Sequence, residues 1–301
     1  MSILSIEDLR KDYGRVQALK GVTFNVPKGS VFGILGPNGS GKTTMLGIIM
    51  DILKPTAGTY KLFGEVPNET HRRKIGTFLE TPNFYHYLSA QKNLEIAAAI
   101  KERGQNDIAK VLDLVNLTQR KDSRFSTYSL GMKQRLAIAS CLLGDPEVLI
   151  LDEPTNGLDP VGIAEIRQLI KDLQQQGKTI IMASHLLDEV EKVCTHVAIL
   201  KKGILVATGD VNEILSNEDI IEVGAADMLK LSATLDSLKG YSSIKQQDKL
   251  IQLFYPVGTA DVETVNRHCF TNGTILNHLQ LKKKSLEAKF FELTNKLTVL
   301  L

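Results

Sequence analysis

The run Gly36-Pro37-Asn38-Gly39-Ser40-Gly41-Lys42-Thr43-Thr44 has the residue types and spacing to hold a chain of phosphates. Its glycines let successive backbone N–H groups turn inward as an anion nest at the start of a helix. Lys42 adds a cation able to reach β- and γ-phosphates, and the Thr43 hydroxyl is a hard donor for Mg²⁺. The flanking pattern is the one this chemistry requires. Val31-Phe32-Gly33-Ile34-Leu35 reads as a buried strand, and Met45, Leu46, Ile49, Ile52 and Leu53 recur at helical spacing until Lys54-Pro55 ends the pattern. An ordinary glycine-rich strand-to-helix turn would not fill every position in this order. A nucleoside triphosphate is the expected ligand.

Further along, the apolar run Val148–Leu151 ends in Asp152-Glu153-Pro154. A nucleotide hydrolase keeps one acid there for Mg²⁺ and a second to orient water. The next strand, Thr179–Ala183, ends in Ser184-His185, so in a parallel sheet His185 emerges at the same edge as the phosphate loop and Glu153. Tyr13, just before the strand that feeds the loop, can stack on a base. An exposed tyrosine of a strand or turn needs no ligand, and on Tyr13 alone that is the commoner case.

The elements that must position these residues follow from the hydrophobic pattern. Residues 3–26 read as short alternating strands with a turn at Asp12–Arg15, and Thr59–Phe63 and Ile75–Leu79 as further strands. Residues 85–145 look helical, the first helix capped by Ser89. Ser129 opens another helix carrying Leu136, Ile138, Leu142 and Leu143, and Ile166, Leu169, Ile170 and Leu173 mark one that stops at Gly177. Lys201-Lys202-Gly203 reads as a hairpin turn. Beyond Leu215 the texture changes to a small α+β domain, with strands near Ile220–Val223, Leu250–Tyr255 and Thr274–Leu281. A last helix carries Leu286, Phe290, Leu293 and Leu297. Before it, Lys282-Lys283-Lys284 reads as a solvated face.

Composition narrows the class. A net charge of +2 on 301 residues is too balanced to argue for a nucleic-acid partner. No apolar run approaches the roughly 20 residues needed to span a bilayer, and Met1–Asp8 lacks the character of a signal peptide. Cys141, Cys194 and Cys269 are scattered without a framework, which reads as free thiols in a reducing compartment. The cytoplasm is the expected location.

In this order the motifs resemble those of the ATP-binding subunit of an ABC transporter, over residues 2–215. Gly36–Thr43 matches Walker A, Val148–Asp152 matches Walker B, and Glu153 takes the catalytic-glutamate position. Tyr13 falls at the base-stacking aromatic, Tyr128–Met132 at the signature motif, Gly157-Leu158-Asp159 at the D-loop and His185 at the switch histidine. The resemblance implies a P-loop NTPase-type α/β fold: an ATP-binding domain over 1–215 with an antiparallel β subdomain and an inserted helical subdomain over 85–145. A C-terminal accessory α+β domain follows over 216–301. It also implies ATP and Mg²⁺, the metal held by Thr43 and Asp152, directly or through water. A head-to-tail dimer is implied too, in which Ser129, Gly131 and Asp159 reach the nucleotide of the opposite subunit. The remaining implied partner is a separate transmembrane permease, touched near Phe84–Leu88. The subunit would then lie peripherally on the inner face of the cell membrane. The aromatic cluster Phe84-Tyr85-His86-Tyr87 fits such a contact, and fits buried packing equally.

Two departures from the family pattern stand out. The signature motif is usually Leu-Ser-Gly-Gly-Gln; here Leu130 replaces its first glycine and Met132 its glutamine. Glu80 stands where the family has the Q-loop glutamine. A carboxylate keeps the oxygen for Mg²⁺, adds charge and loses the amide donor. This glutamate, and the ending Ser285–Thr294, resemble the branch that exports bacitracin-type peptides or protects producers from their own lantibiotics. The expected function is therefore ATP hydrolysis powering a permease that exports an antibiotic peptide or other drug or lipid-like cargo. The alternatives are an ATP-gated regulatory subunit or a soluble ABC-type ATPase without a transport role. A P-loop kinase or GTPase fits the motifs poorly.

Overall fold

The computed structural model describes residues 2–79, 83–215, 219–256 and 258–283, together with Leu286 and Phe290. The chain divides into two compact units, 1–210 and 211–301. The first begins with β1 (Ser2–Tyr13), β2 (Val16–Pro27), β3 (Val31–Leu35), α1 (Lys42–Ile49), β4 (Ala57–Leu62), α2 (Glu69–Arg73) and β5 (Ile75–Phe78). A helical stretch follows, α3 (Ala90–Lys101), α4 (Ile108–Leu114) and α5 (Leu130–Leu142). Next come β6 (Val148–Asp152), α6 (Pro160–Gln175), β7 (Thr179–Ser184), α7 (Leu187–Val193), β8 (His196–Lys201) and β9 (Ile204–Asp210). No helix among the described residues is long and apolar enough to cross a membrane.

The central sheet runs β5-β6-β7-β3-β8-β9, parallel except for the last strand. Strands β3, β6 and β7 are buried at every residue, as apolar runs covered on both faces must be. Phe32 and Ile34 face one side, where Met45, Leu46, Ile48 and Ile49 of α1 join them and the inner residues of the antiparallel sheet β2-β1-β4 in one core. On the other side Gly33 meets Val190 and Cys194, leaving no room for a Cβ. Register then does the positioning. Leu35 pairs with Ser184 and Asp152 with Ala183, so three chain exits lie level at the carboxyl edge.

The helix after the phosphate loop is shorter than its apolar pattern. It stops at Ile49, Asp51 takes φ 61°, and the N–H groups of Ile52 and Leu53 return to Gly47 O. Leu53 thereby packs back on the helix while Ile52 is left exposed. The opening strands are longer than expected, twelve residues each, because pairing with β4 and β2 on both sides carries β1 to the turn. The predicted cap holds: Ser89 Oγ accepts from Lys92 N at 3.2 Å.

The second unit comprises α8 (Val211–Leu215), β10 (Asp219–Ala225), α9 (Met228–Leu235), β11 (Ser243–Gln247), β12 (Leu250–Tyr255), α10 (Val262–Thr271) and β13 (Leu276–Lys283). From β10 onward the order is β-α-β-β-α-β, and the sheet order β11-β12-β10-β13, antiparallel throughout, is that of a ferredoxin-like split βαβ sandwich. Ile221, Val223, Ile251 and Leu253 face Leu231, Leu235, Val265 and Cys269 of the two helices. Strand β11 is absent from the sequence expectation. Of the predicted last helix, Leu286 and Phe290 are helical and Leu286 is buried; its other positions lie outside the described residues.

Candidate active site

The phosphate loop links β3 to α1 and is shaped by its glycines. Gly39 has φ 77° and Gly41, the residue before α1, has φ 105°. At Gly36 the constraint is space, since a Cβ would stand 2.4 Å from Leu200 O. The loop is also tied to the β8–β9 hairpin, where Gly203 N donates to Ser40 O at 3.0 Å. No side chain caps α1, so its first N–H groups face the cavity ahead of it. That cavity, of about 550 Å³, is lined by Asn38 through Thr44, Glu153, and residues of β2 and the β8–β9 turn.

Lys42 is buried, and its Nζ donates to Gly36 O at 2.7 Å. The same ammonium stands 3.5 Å from Glu153 Oε1, whose other oxygen is 2.8 Å from His185 Nδ1. Glu153 turns off the end of β6 at φ 49°, a left-handed conformation that L-residues enter at a cost of about 1 kcal/mol or more. Its N–H donates to Ala183 O at 3.0 Å, which holds it there. Thr43 Oγ1 donates to Asp152 Oδ2 at 2.9 Å. Two hard oxygen donors side by side suit Mg²⁺, whose remaining positions are ordinarily filled by phosphate and water. No cluster of three or more His, Cys, Asp or Glu able to hold a metal occurs among the described residues, which do not include Glu80.

The signature and D-loop residues form a second, separate cavity of about 370 Å³, lined by Ser129, Leu130, Gly131, Gly157, Leu158 and Asp159 among others. Ser129 and Asp159 are exposed helix caps: Ser129 Oγ accepts from Met132 N at 3.3 Å, and Asp159 Oδ1 from Gly162 N at 2.9 Å. This cavity shares no lining residue with the phosphate-loop cavity. Apart from Tyr13 and Glu80, the expected site residues thus gather as two groups.

Tyr13 stands at the end of β1 with its ring half exposed under the Lys11 ammonium, 5.0 Å from the centroid. It does not line the phosphate-loop cavity; Val16, Gln17, Ala18 and Lys20 of the next strand do. Glu80 lies outside the described residues. Neither Lys20 nor Lys202 stands out as a site residue in the sequence, where Lys202 reads only as part of a hairpin turn; the pairing of β8 beside β3 brings that turn to the loop. The aromatic cluster divides its two readings. Phe84 and His86 pack edge-on against buried Phe125, whereas Tyr85 and Tyr87 remain exposed. All three cysteines are buried, and burial pushes the Cys141 thiol up to about 12, too high for thiolate chemistry near neutrality.

The chain is similar to known proteins over most of its length. Residues 19–156 match the family model described as ABC transporter. The chain is 35% identical over 297 residues to the bacitracin transport ATP-binding protein BcrA of Enterococcus faecalis, covering 97% of this chain and 96% of that one. It is 36% identical over 226 residues to the lantibiotic transport ATP-binding protein SrtF of Streptococcus pyogenes, covering 73% of this chain and 99% of the relative. Among solved structures, a dimeric ATP-binding cassette in a post-hydrolysis state with ADP and Pi superposes with a TM-score of 0.61 at 29% identity, over 69% of this chain and 98% of that one. With loop, acids and histidine gathered on one sheet edge, the chain belongs to the ATP-binding subunits of ABC transporters, and it is an ATP-hydrolysing subunit of that kind.

Proposed function

We propose that this chain powers export of, or immunity to, a peptide antibiotic of the bacitracin or lantibiotic class through a separate permease. The backbone N–H groups of Gly39–Thr44 and the Lys42 ammonium take the β- and γ-phosphates. Thr43 and Asp152 are the oxygen donors for Mg²⁺, with Glu80 as a third donor. The metal, when bound, offsets negative charge on the phosphate oxygens. Glu153 orients the attacking water, its carboxylate aimed by His185, which also contacts the γ-phosphate. Because phosphoryl transfer is mostly positioning and electrostatics, loss of Glu153 lowers turnover far more than binding.

The observation that carries the dimeric reading is the separation of the two cavities. Each copy holds a phosphate-loop half and a signature half, and two copies placed head to tail complete two sites. ATP then favours the closed pair and hydrolysis releases it. Closure works on the permease through the helical stretch, where exposed Tyr85 and Tyr87 offer contact surface.

Complementation tests this arrangement. Copies carrying Lys42→Ala are mixed with copies carrying Ser129→Ala, both inactive alone. Head-to-tail pairing leaves one intact site per mixed dimer, so hydrolysis returns on mixing. Absence of any recovery overturns the arrangement. For the cargo, cells expressing the chain with its membrane partner should tolerate bacitracin or a lantibiotic, and Glu153→Gln should abolish that tolerance.

A further inference from the structure

The departure at Leu130 has a structural counterpart in the second cavity. A Cβ on Gly157 would stand 3.1 Å from Leu130 Cδ2, so the leucine of the signature loop lies on the glycine of the D-loop. In return, a Cβ on Gly131 would meet Leu158 Cδ2 at 3.9 Å. Each loop therefore places its leucine over the glycine of the other. Gly157, at φ 75°, holds a conformation that leaves its face bare for this contact. Further along the two helices, Arg135 Nη2 stands 3.7 Å from Glu165 Oε2 and repeats the link between α5 and α6.

We propose that Leu130 is a positioning residue. The reciprocal leucine–glycine clasp holds the caps Ser129 and Asp159 side by side, as one preformed half-site within a single copy. The inference rests on the reading that these two loops face the partner's nucleotide. Leu130 is 46% exposed, so its job is not to fill a core. Helix α5 ends the inserted helical stretch and α6 belongs to the central sheet's layers, so without the clasp the two caps can reorient separately. Only a fraction of copies would then be ready to receive nucleotide, and apparent affinity falls by that fraction.

The test compares Leu130→Gly, Leu130→Ala and Leu130→Met in the full chain. Hydrogen exchange at the Gly157–Asp159 amides should quicken about tenfold in the glycine and alanine variants. The KM for ATP, measured with the membrane partner, should rise roughly 3- to 10-fold with kcat within about twofold. Methionine, which reaches the same contact, should restore both. Exchange and KM matching the wild type in both truncations overturns the clasp. Faster exchange with an unmoved KM overturns the positioning role. If Ser129→Ala leaves hydrolysis unchanged in the wild-type background, the underlying reading of the loops fails, and that result is distinct from either outcome at Leu130.

Discussion

The two units each contain a glutamate held between a lysine and a histidine. Glu153 stands 3.5 Å from Lys42 and 2.8 Å from His185. Glu222 contacts Lys282, stands 3.6 Å from His278 and accepts from Gln252 Nε2 at 2.8 Å. The residue types match, yet the settings differ. Glu222 sits in mid-strand, paired on both sides, with only 5% of its side chain exposed. Glu153 lies beyond a strand end in a left-handed turn, 21% exposed and lining a cavity. A Lys–Glu–His group does not make a site. Glu153 differs in leaving the carboxyl edge of a parallel sheet with a cavity ahead of it, the place where open α/β sheets bind ligands.

That contrast breaks if both glutamates behave alike on substitution. The largest effect is expected at Glu153→Gln: turnover falls about 10²- to 10⁴-fold while ATP binding persists. Phosphate release and equilibrium ATP binding measure the two halves of this claim, and normal hydrolysis would refute it. Next is Gly36→Ala, where the added carbon would meet a backbone oxygen that cannot swing away. Overpacking of this kind destabilises by about 1–3 kcal/mol, and the displaced loop should lose roughly tenfold or more in ATP affinity, read by calorimetry and a binding titration.

The smallest effect is at Glu222→Gln, where hydrolysis should stay within about twofold. Here the readout is stability against pH. Burial opposes ionisation of Glu222, but bonds from Lys282 and Gln252 and the nearby charges overcome it and hold the carboxyl below its ordinary range. A folded-state pKa below the unfolded one stabilises the fold above the unfolded value, and that contribution is lost as pH falls through the folded one. The wild type should exceed Glu222→Gln in urea resistance at pH 7, and the gap should close as pH drops below about 4. A gap unchanged by acid would show that charge is not what Glu222 contributes.

Much of this was legible in the residues because it is local. The phosphate loop, the buried strands and the Ser89 cap rest on neighbours within a few positions. The end of α1 was not, since Ile52 and Leu53 continue the helical spacing although Asp51 has already left the helix. Strand β11 was missed because Ser243–Gln247 holds a single apolar residue, Ile244, and borders the sheet on one side only. The Lys282 run reads as solvated, yet Lys282 neutralises a buried acid two strand positions out of register.

The sequence by itself determined the residue types and their order: a glycine-rich loop with Lys42 and Thr43, the acids Asp152 and Glu153, His185, and the family whose motifs they resemble. Periodicity and motif spacing carry that information within short windows. Which groups meet was decided only by the tertiary structure. The level exits of β3, β6 and β7 bring Lys42, Glu153 and His185 together across more than a hundred residues of chain. The same packing sets Leu130 on Gly157 and keeps their cavity apart from the phosphate loop. Contacts of this kind depend on strand register and helix packing, which no single stretch of sequence encodes.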